Sequence, residues 1–118
     1  MTGTLNKTMI LGYLGGDPEI RMTESGREIA RLTVATNEHY TDAQGQRQKN
    51  TEWHRLVVFA DGLISKVIKP YLKKGSKLLV EGRNATRKYT DKNGVERYST
   101  DVIVRGITLL DRQAGSQN

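Results

Sequence analysis

The sequence contains no cysteine, which excludes disulfides, thiolate metal sites and cysteine nucleophiles. No apolar run approaches the ~20 residues that a membrane-spanning helix needs. The segment from Met1 to Lys7 lacks the apolar centre of a secretory signal. No internal repeat, linker or low-complexity stretch interrupts the chain. These absences point to a protein of the reducing cytoplasm, with an organelle left open. Aromatic residues are also few, one tryptophan, one phenylalanine and five tyrosines, so each can be weighed singly.

Catalytic constellations are missing as well. The two histidines, His39 and His54, fall on different predicted strands and neither has a metal-ligand spacing. No nucleophile elbow, phosphate-binding loop or carboxylate cluster occurs. Gly12, Gly15 and Gly16 have no following Lys-Ser/Thr and read as a turn. Glu52 and His54 share a strand face and read as a polar face beside a contact rather than an acid–base pair. Neither an enzyme nor a metal or cofactor site is expected.

What remains is a basic chain of 118 residues with formal net charge +6. The length suits one domain with one core, and the charge suits a polyanionic partner. Residues 1–112 form the expected domain. The small, polar residues 113–118 read as a disordered tail.

Strand patterns dominate. Leu5 to Tyr13 is an apolar run closed by the turn signal Gly15-Gly16-Asp17-Pro18. From Arg27 to Glu38, the residues Ala30, Leu32 and Val34 alternate with polar neighbours, the pattern of a strand buried on one face. The wholly polar segment from Thr41 to Asn50 reads as a hairpin loop. Thr51 to Ala60 resumes as a strand, apolar on both faces at Leu56 to Phe59.

One helix is predicted, from Asp61 to Leu72, with Asp61 as N-cap and an apolar stripe of Leu63, Val67 and Tyr71 flanked by Ile64 and Ile68. Pro70 cannot donate to the carbonyl of Lys66, which predicts a kink or an early end. Lys77 to Tyr89 is a long strand expected to bend or bulge at Gly82, and Gly106 marks a second bend in the strand that follows. Thr90 to Gly94 is a hairpin loop with an Asn-Gly pair, and Val95 to Leu110 returns as the last strand. Three strands, a helix and two strands describe an all-β OB-fold, a five-stranded, partly open Greek-key barrel with one helix between its third and fourth strands.

Four aromatics lie in or near strands beside basic residues: Tyr40, Trp53, Phe59 and Tyr89. A ring exposed among cations suits unpaired bases, because the ring stacks on the base while Lys and Arg neutralise neighbouring phosphates. Double-stranded DNA hides its base faces, so stacking selects single strands. Trp53, set between charged neighbours, favours the binding role. Phe59 fits core burial and base contact equally. Tyr40 and Tyr89 border polar loops, Tyr71 belongs to the core, and Tyr13 and Tyr98 are packing or interface residues. The candidate phosphate contacts are Arg31, Arg55, Lys73, Lys74, Arg83, Arg87, Lys88 and Arg97, singled out by their nearness to these rings.

The segments Asn6-Lys7, Leu14-Gly15, Asp17-Pro18-Glu19, Ala35-Thr36, Thr51-Glu52-Trp53-His54-Arg55, Tyr71-Leu72-Lys73-Lys74-Gly75-Ser76, Glu81-Gly82 and Thr86-Arg87-Lys88-Tyr89-Thr90-Asp91 resemble, in order and spacing, the bacterial single-stranded DNA-binding protein family. The resemblance runs from about Leu5 to Leu110. It implies an OB-fold, a homotetramer built as a dimer of dimers, and sequence-tolerant binding of single-stranded DNA in replication, recombination and repair. It places the stacking aromatics on Tyr40, Trp53, Phe59 and Tyr89, with tyrosine at two positions commonly occupied by tryptophan. It also implies subunit contacts along Lys7, Met9 and Leu11 and near His54. Family members typically continue into a flexible linker and an acidic tip that recruits replication and repair proteins. Such partners are expected only where that tip is present, and residues up to Asn118 do not contain it. An RNA-binding or primosome-type OB protein and a purely structural assembly module are the rival readings.

Overall fold

The computed structural model describes residues 3–110, so the tail expected at 113–118 lies outside the described residues. Six strands are present: β1 (Thr8–Leu14), β2 (Glu19–Met22), β3 (Glu28–Thr41), β4 (Arg47–Val58), β5 (Lys77–Thr90) and β6 (Glu96–Leu109). They hydrogen-bond in the order β1-β5-β6-β4-β3-β2, and an additional β1–β3 pairing closes the sheet on itself. The barrel therefore consists of β1, β3, β4, β5 and β6, while β2 flanks β3. Two of its seams are narrow. The β1–β3 seam holds only Tyr13 opposite Ala35 and Leu14 opposite Val34, and the parallel β4–β6 seam holds Leu56 opposite Val102 and Val57 opposite Ile103. This is the expected OB barrel, and its helix lies between β4 and β5.

Period-2 alternation builds the core. Ile10 and Leu14 of β1, Ala30, Leu32 and Val34 of β3, Leu56 and Val58 of β4, Leu78 and Val80 of β5, and Val102 and Val104 of β6 all point inward and are buried. Each large side chain removed from water contributes roughly 1.5–3 kcal/mol. Two glycines let strands cross where a side chain would collide with backbone. A Cβ on Gly12 would stand 2.3 Å from the carbonyl oxygen of Ala35, and one on Gly82 would stand 2.1 Å from that of Ile103. At Gly82 the ladder shifts register, with Glu81 opposite Gly106 and Gly82 opposite Val104, leaving Arg105 as the extra residue of a bulge. The irregularity expected at Gly82 is this bulge, with its extra residue on the partner strand β6 beside Gly106.

The helical segment, labelled α1 as a whole, joins α-helical Asp61–Leu63, π-helical Ile64–Ile68 and α-helical Lys69–Tyr71. In the π turn the Lys69 N–H donates to the carbonyl of Ile64. The helix ends at Tyr71, within one residue of the expected Leu72, which is extended although its N–H still donates to the carbonyl of Ile68; the irregularity expected of Pro70 is not an early end but accompanies the π turn that precedes it. Two further details differ from the sequence reading. Ala60 occupies the N-cap position without a side-chain cap, and Asp61, inside the first turn, instead faces Arg27 at 3.6 Å. The face against the barrel is Ile64, Ile68 and Leu72, so Tyr71 is turned outward and half exposed rather than in the core.

The segment from 41 to 50 is not all loop. β3 runs to Thr41 and β4 begins at Arg47, leaving 42–46 as the connection. The ladder from Glu38 opposite Asn50 to Thr41 opposite Arg47 continues past the barrel. There both faces meet solvent, and backbone hydrogen bonds sustain the ribbon without apolar residues. The short strand β2, exposed throughout, was also not apparent, because four residues between turn signals give too little alternation to read.

One turn design recurs at three hairpins. Thr23, Asp42 and Asp91 each accept, through their carbonyl, the N–H of a glycine three residues on, namely Gly26, Gly45 and Gly94. All three glycines have positive φ, between 78° and 86°, a region that favours glycine. Asp42 Oδ1 accepts from the N–H groups of Gln44 and Gln46, and Asp91 Oδ1 from those of Asn93 and Val95. The turns thereby hold two long ribbons, β3–β4 and β5–β6, in fixed register beyond the barrel.

Candidate nucleic-acid interface

Strand alternation decides which side chains meet. On β4 the residues Arg47, Lys49, Thr51, Trp53, Arg55 and Val57 share one face, opposite Leu56 and Val58 in the core. The register carries that face onto β3, where Ala35 stands opposite Trp53, Thr33 opposite Arg55 and Arg31 opposite Val57. Through Val57 and Ile103 it continues onto β6. From there it reaches β5, with Arg83 opposite Ile103, Arg87 opposite Ser99 and Tyr89 opposite Arg97. One outer surface of the barrel thus gathers Trp53, Phe59, Tyr89, Arg31, Arg55, Arg83, Arg87 and Arg97.

Two adjoining hollows indent this surface. The first, about 260 Å³, is lined by Arg31, Arg55 and Arg87 together with Asp17, Glu19 and Asp101. The second, about 350 Å³, shares Arg31, Arg87 and Asp101 and is floored by Ile29, Val57, Phe59 and Ile103. Phe59 is 45% exposed, which decides for groove wall over core. Trp53 is 57% exposed. Tyr89 lies under the guanidinium of Arg87, whose Cζ is 5.5 Å from the ring centroid, a cation–π arrangement.

Ion pairing distinguishes the groove arginines from many of the other cations. Among the described residues, Lys7, Arg21, Arg27, Lys69, Lys88, Arg97 and Arg105 all pair with carboxylates. Arg31, Arg55, Arg83 and Arg87 have no such partner, although three acids line the first hollow. Two of these acids are engaged elsewhere: Asp17 Oδ1 accepts the backbone N–H of Lys74 at 2.8 Å, and Glu19 lies 3.8 Å from Arg21. The third, Asp101, lines both hollows without an ion pair to any of these arginines, whose donors stay available for an anion from solvent.

Three candidates from the sequence are placed differently. Lys88 points to the other side of the β5–β6 ribbon, opposite Tyr98, and bridges to Glu96 at 3.0 Å. Arg97 lies on the groove face but is held by Asp91 at 2.9 Å. That arginine, with the N–H of Val95, keeps the Asp91 carboxyl below its ordinary range. Tyr40 is opposite Gln48 and alternates to the reverse side of the β3–β4 ribbon from Trp53, where it is 54% exposed. Lys73 and Lys74 sit in the turn after α1, which is tied to the β1–β2 loop by the Lys74–Asp17 bond and by the Gly75 N–H donating to Leu14. They flank the groove end that Asp17 lines.

The sequence reading missed Arg47 and Lys49, which extend the Trp53 face along the ribbon with no ion pair among the described residues. Their spacing of two from Thr51 and Trp53 is the signal that could have found them. The expected subunit-contact residues fall on two separate surfaces. Met9 and Leu11 are more than half exposed on the outer face of β1, with Tyr13 two residues on, and Lys7 pairs there with Glu81 of β5 at 3.2 Å. His54 is half-buried on the inner side of the β3–β4 ribbon, its Nε2 2.9 Å from Thr36 Oγ1.

Fold and surface together define an OB barrel whose flank carries rings among arginines that are mostly free of ion pairs, the class that receives single-stranded nucleic acid. Comparison with known proteins narrows this. The model of the single-strand binding protein family matches residues 5–110, and the chain belongs to that family. Among relatives, the single-stranded DNA-binding protein of Rhizobium meliloti (strain 1021) is 48% identical over 98% of this chain and 68% of its own length. That of Rickettsia prowazekii (strain Madrid E) is 43% identical over 100% of this chain and 80% of its own. A solved Plasmodium falciparum SSB in complex with ssDNA superposes with a TM-score of 0.84 at 31% identity, covering 94% of this chain and 99% of that one.

Proposed function

We propose that the chain binds single-stranded DNA along the arginine-lined outer face of the barrel, stacking bases on Trp53, Phe59 and Tyr89. Arg31, Arg55, Arg83 and Arg87 neutralise the phosphates between them. Arg47 and Lys49 extend the track along the β3–β4 ribbon, while Tyr40 offers a ring on its far side. One observation carries this reading: the rings share a face with four arginines that have no carboxylate partner among the described residues, whereas six cations off that face, Lys7, Arg21, Arg27, Lys69, Lys88 and Arg105, are ion-paired. The complex of the Plasmodium falciparum relative with ssDNA supports it.

Stacking contributes ~1–3 kcal/mol per base without reading base identity, so binding is sequence-tolerant. No chemical step is involved; the protein coats and protects exposed strands during replication, recombination and repair. We place it in the cytoplasm, and no helix among the described residues is long and apolar enough to cross a membrane. The working unit is a homotetramer, a dimer of dimers. The apolar β1 face of Met9 and Leu11, with Lys7 at its edge, serves one contact, and the surface around His54 serves another. Recruitment of replication and repair proteins requires an acidic C-terminal tip on the full-length protein.

Trp53 is the only tryptophan, so its fluorescence reports the site directly. Titration with poly-dT at low salt should quench it, and Trp53→Ala should weaken binding far more than the remote Glu24→Ala. Absence of quenching, or equal losses in the two variants, refutes the reading.

A further inference from the structure

Gly15 stands directly against the Trp53 ring. A Cβ built there would lie 2.5 Å from Trp53 Cζ3, with two more indole carbons within 3.4 Å. The clashes at Gly12 and Gly82 are with backbone oxygens, but here the nearest atoms belong to a ring that is 57% exposed. The backbone at Gly15 cannot retreat. Its N–H donates to the carbonyl of Thr33 at 2.8 Å. The preceding Leu14 donates to Ser76 and accepts from Gly75, both also at 2.8 Å. Two strands and the turn after α1 thus fix the Cα on which the indole rests. The φ of Gly15 lies outside the left-handed region, so glycine is not required there by backbone conformation.

We infer that Gly15 is a positioning residue for DNA binding: its missing side chain seats the indole of Trp53 against β1 and sets the ring's tilt in the groove. The inference rests on the stacking role proposed for Trp53. Any side chain at residue 15 must push the ring edge away by about 1 Å or more to restore ordinary carbon–carbon contact. A half-exposed ring can swing about its two side-chain torsions, so the displacement leaves the barrel intact. What changes is the geometry offered to a base, and stacking depends on how completely the two planes overlap.

The test is a double-mutant cycle of Gly15→Ala and Trp53→Ala, read as affinity for a short dT oligomer at one fixed salt concentration. Trp53→Ala should weaken binding by about 5- to 150-fold, the stacking contribution converted at tenfold per ~1.4 kcal/mol. Gly15→Ala alone should weaken it by about fivefold or more, and should add nothing in the Trp53→Ala background. Without DNA, Gly15→Ala should alter Trp53 emission and its quenching by acrylamide while the circular dichroism spectrum stays unchanged. A normal loss for Trp53→Ala with none for Gly15→Ala overturns the inference and leaves the stacking reading standing. Additive losses, or a Gly15→Ala chain that fails to fold, overturn it too, since the ring and not the sheet should give way. No loss for Trp53→Ala removes the stacking reading itself.

Discussion

Arg87 and Lys88 are neighbours in sequence, carry the same charge, and should behave differently. Arg87 faces the groove, stacks over Tyr89 and has no carboxylate partner among the described residues, whereas Lys88 faces the opposite side and is bridged to Glu96. For single strands, log K falls with log salt at a slope of about −0.7 per phosphate neutralised. Losing one contact therefore makes the slope shallower by about 0.7 for each subunit engaged. Between about 50 and about 200 mM salt one such contact is worth about 2.6-fold in affinity, so the wild-type advantage over Arg87→Ala should shrink by that factor per subunit across this range. Arg87→Ala also removes the cation from the Tyr89 ring, about 0.5–1 kcal/mol at an exposed site, a loss that salt does not restore. Lys88→Ala breaks an exposed ion pair of little energetic worth and uncovers a carboxylate away from the groove. Its slope should change by less than half as much. Fluorescence titrations with one dT oligomer at four or five salt concentrations measure both slopes. Equal slope changes for the two variants would refute the division of the cations by face and pairing.

Three further outcomes follow from the same geometry. The Asp42 and Asp91 carboxyls are both held below the ordinary aspartate range, Asp42 chiefly by the Gln46 N–H and Asp91 chiefly by Arg97. Lowered folded-state values stabilise the fold above the unfolded aspartate range near pH 4 and lose that effect as pH falls through the folded values. Thermal midpoints should thus decline below about pH 4, and Asp91→Asn should flatten part of that decline. Ile64→Ala, at a fully buried position where α1 meets the core, should cost ~2–5 kcal/mol in urea unfolding without altering the m-value. Leu11→Glu, on the exposed face of β1, should lower the mass measured by sedimentation while each subunit stays folded; an unchanged mass would remove β1 from the proposed assembly.

The alternation of Ala30, Leu32 and Val34, and of Leu56 and Val58, reports the inward face of each strand from local order alone, because successive side chains point to opposite sides. The same rule places Phe59 with Val57 on the outer face, so its exposure was open to inference. The polar ribbon from 41 to 50 was not, because its strands are held by a backbone ladder that leaves no mark on side-chain polarity. Tyr71 misled for a related reason: a four-residue stripe names a face of the helix, but which face meets the barrel depends on the approach of the π turn and on Leu72 leaving the helix.

Composition, charge and strand periodicity by themselves determined an all-β, basic, cysteine-free chain with a small set of rings among cations. Each of these properties is local, fixed by neighbours a few positions away. Only the tertiary structure decided which cations are free, because an ion pair such as Arg27 with Asp61 or Lys69 with Glu28 joins residues from distant elements. It also decided that Gly15 lies under Trp53 and that Arg31, Arg55 and Arg87 face one hollow. Those meetings arise where β1 crosses β3 and where β4 lies beside β6, and such long-range registers are set by the closure of the barrel, not by any single strand.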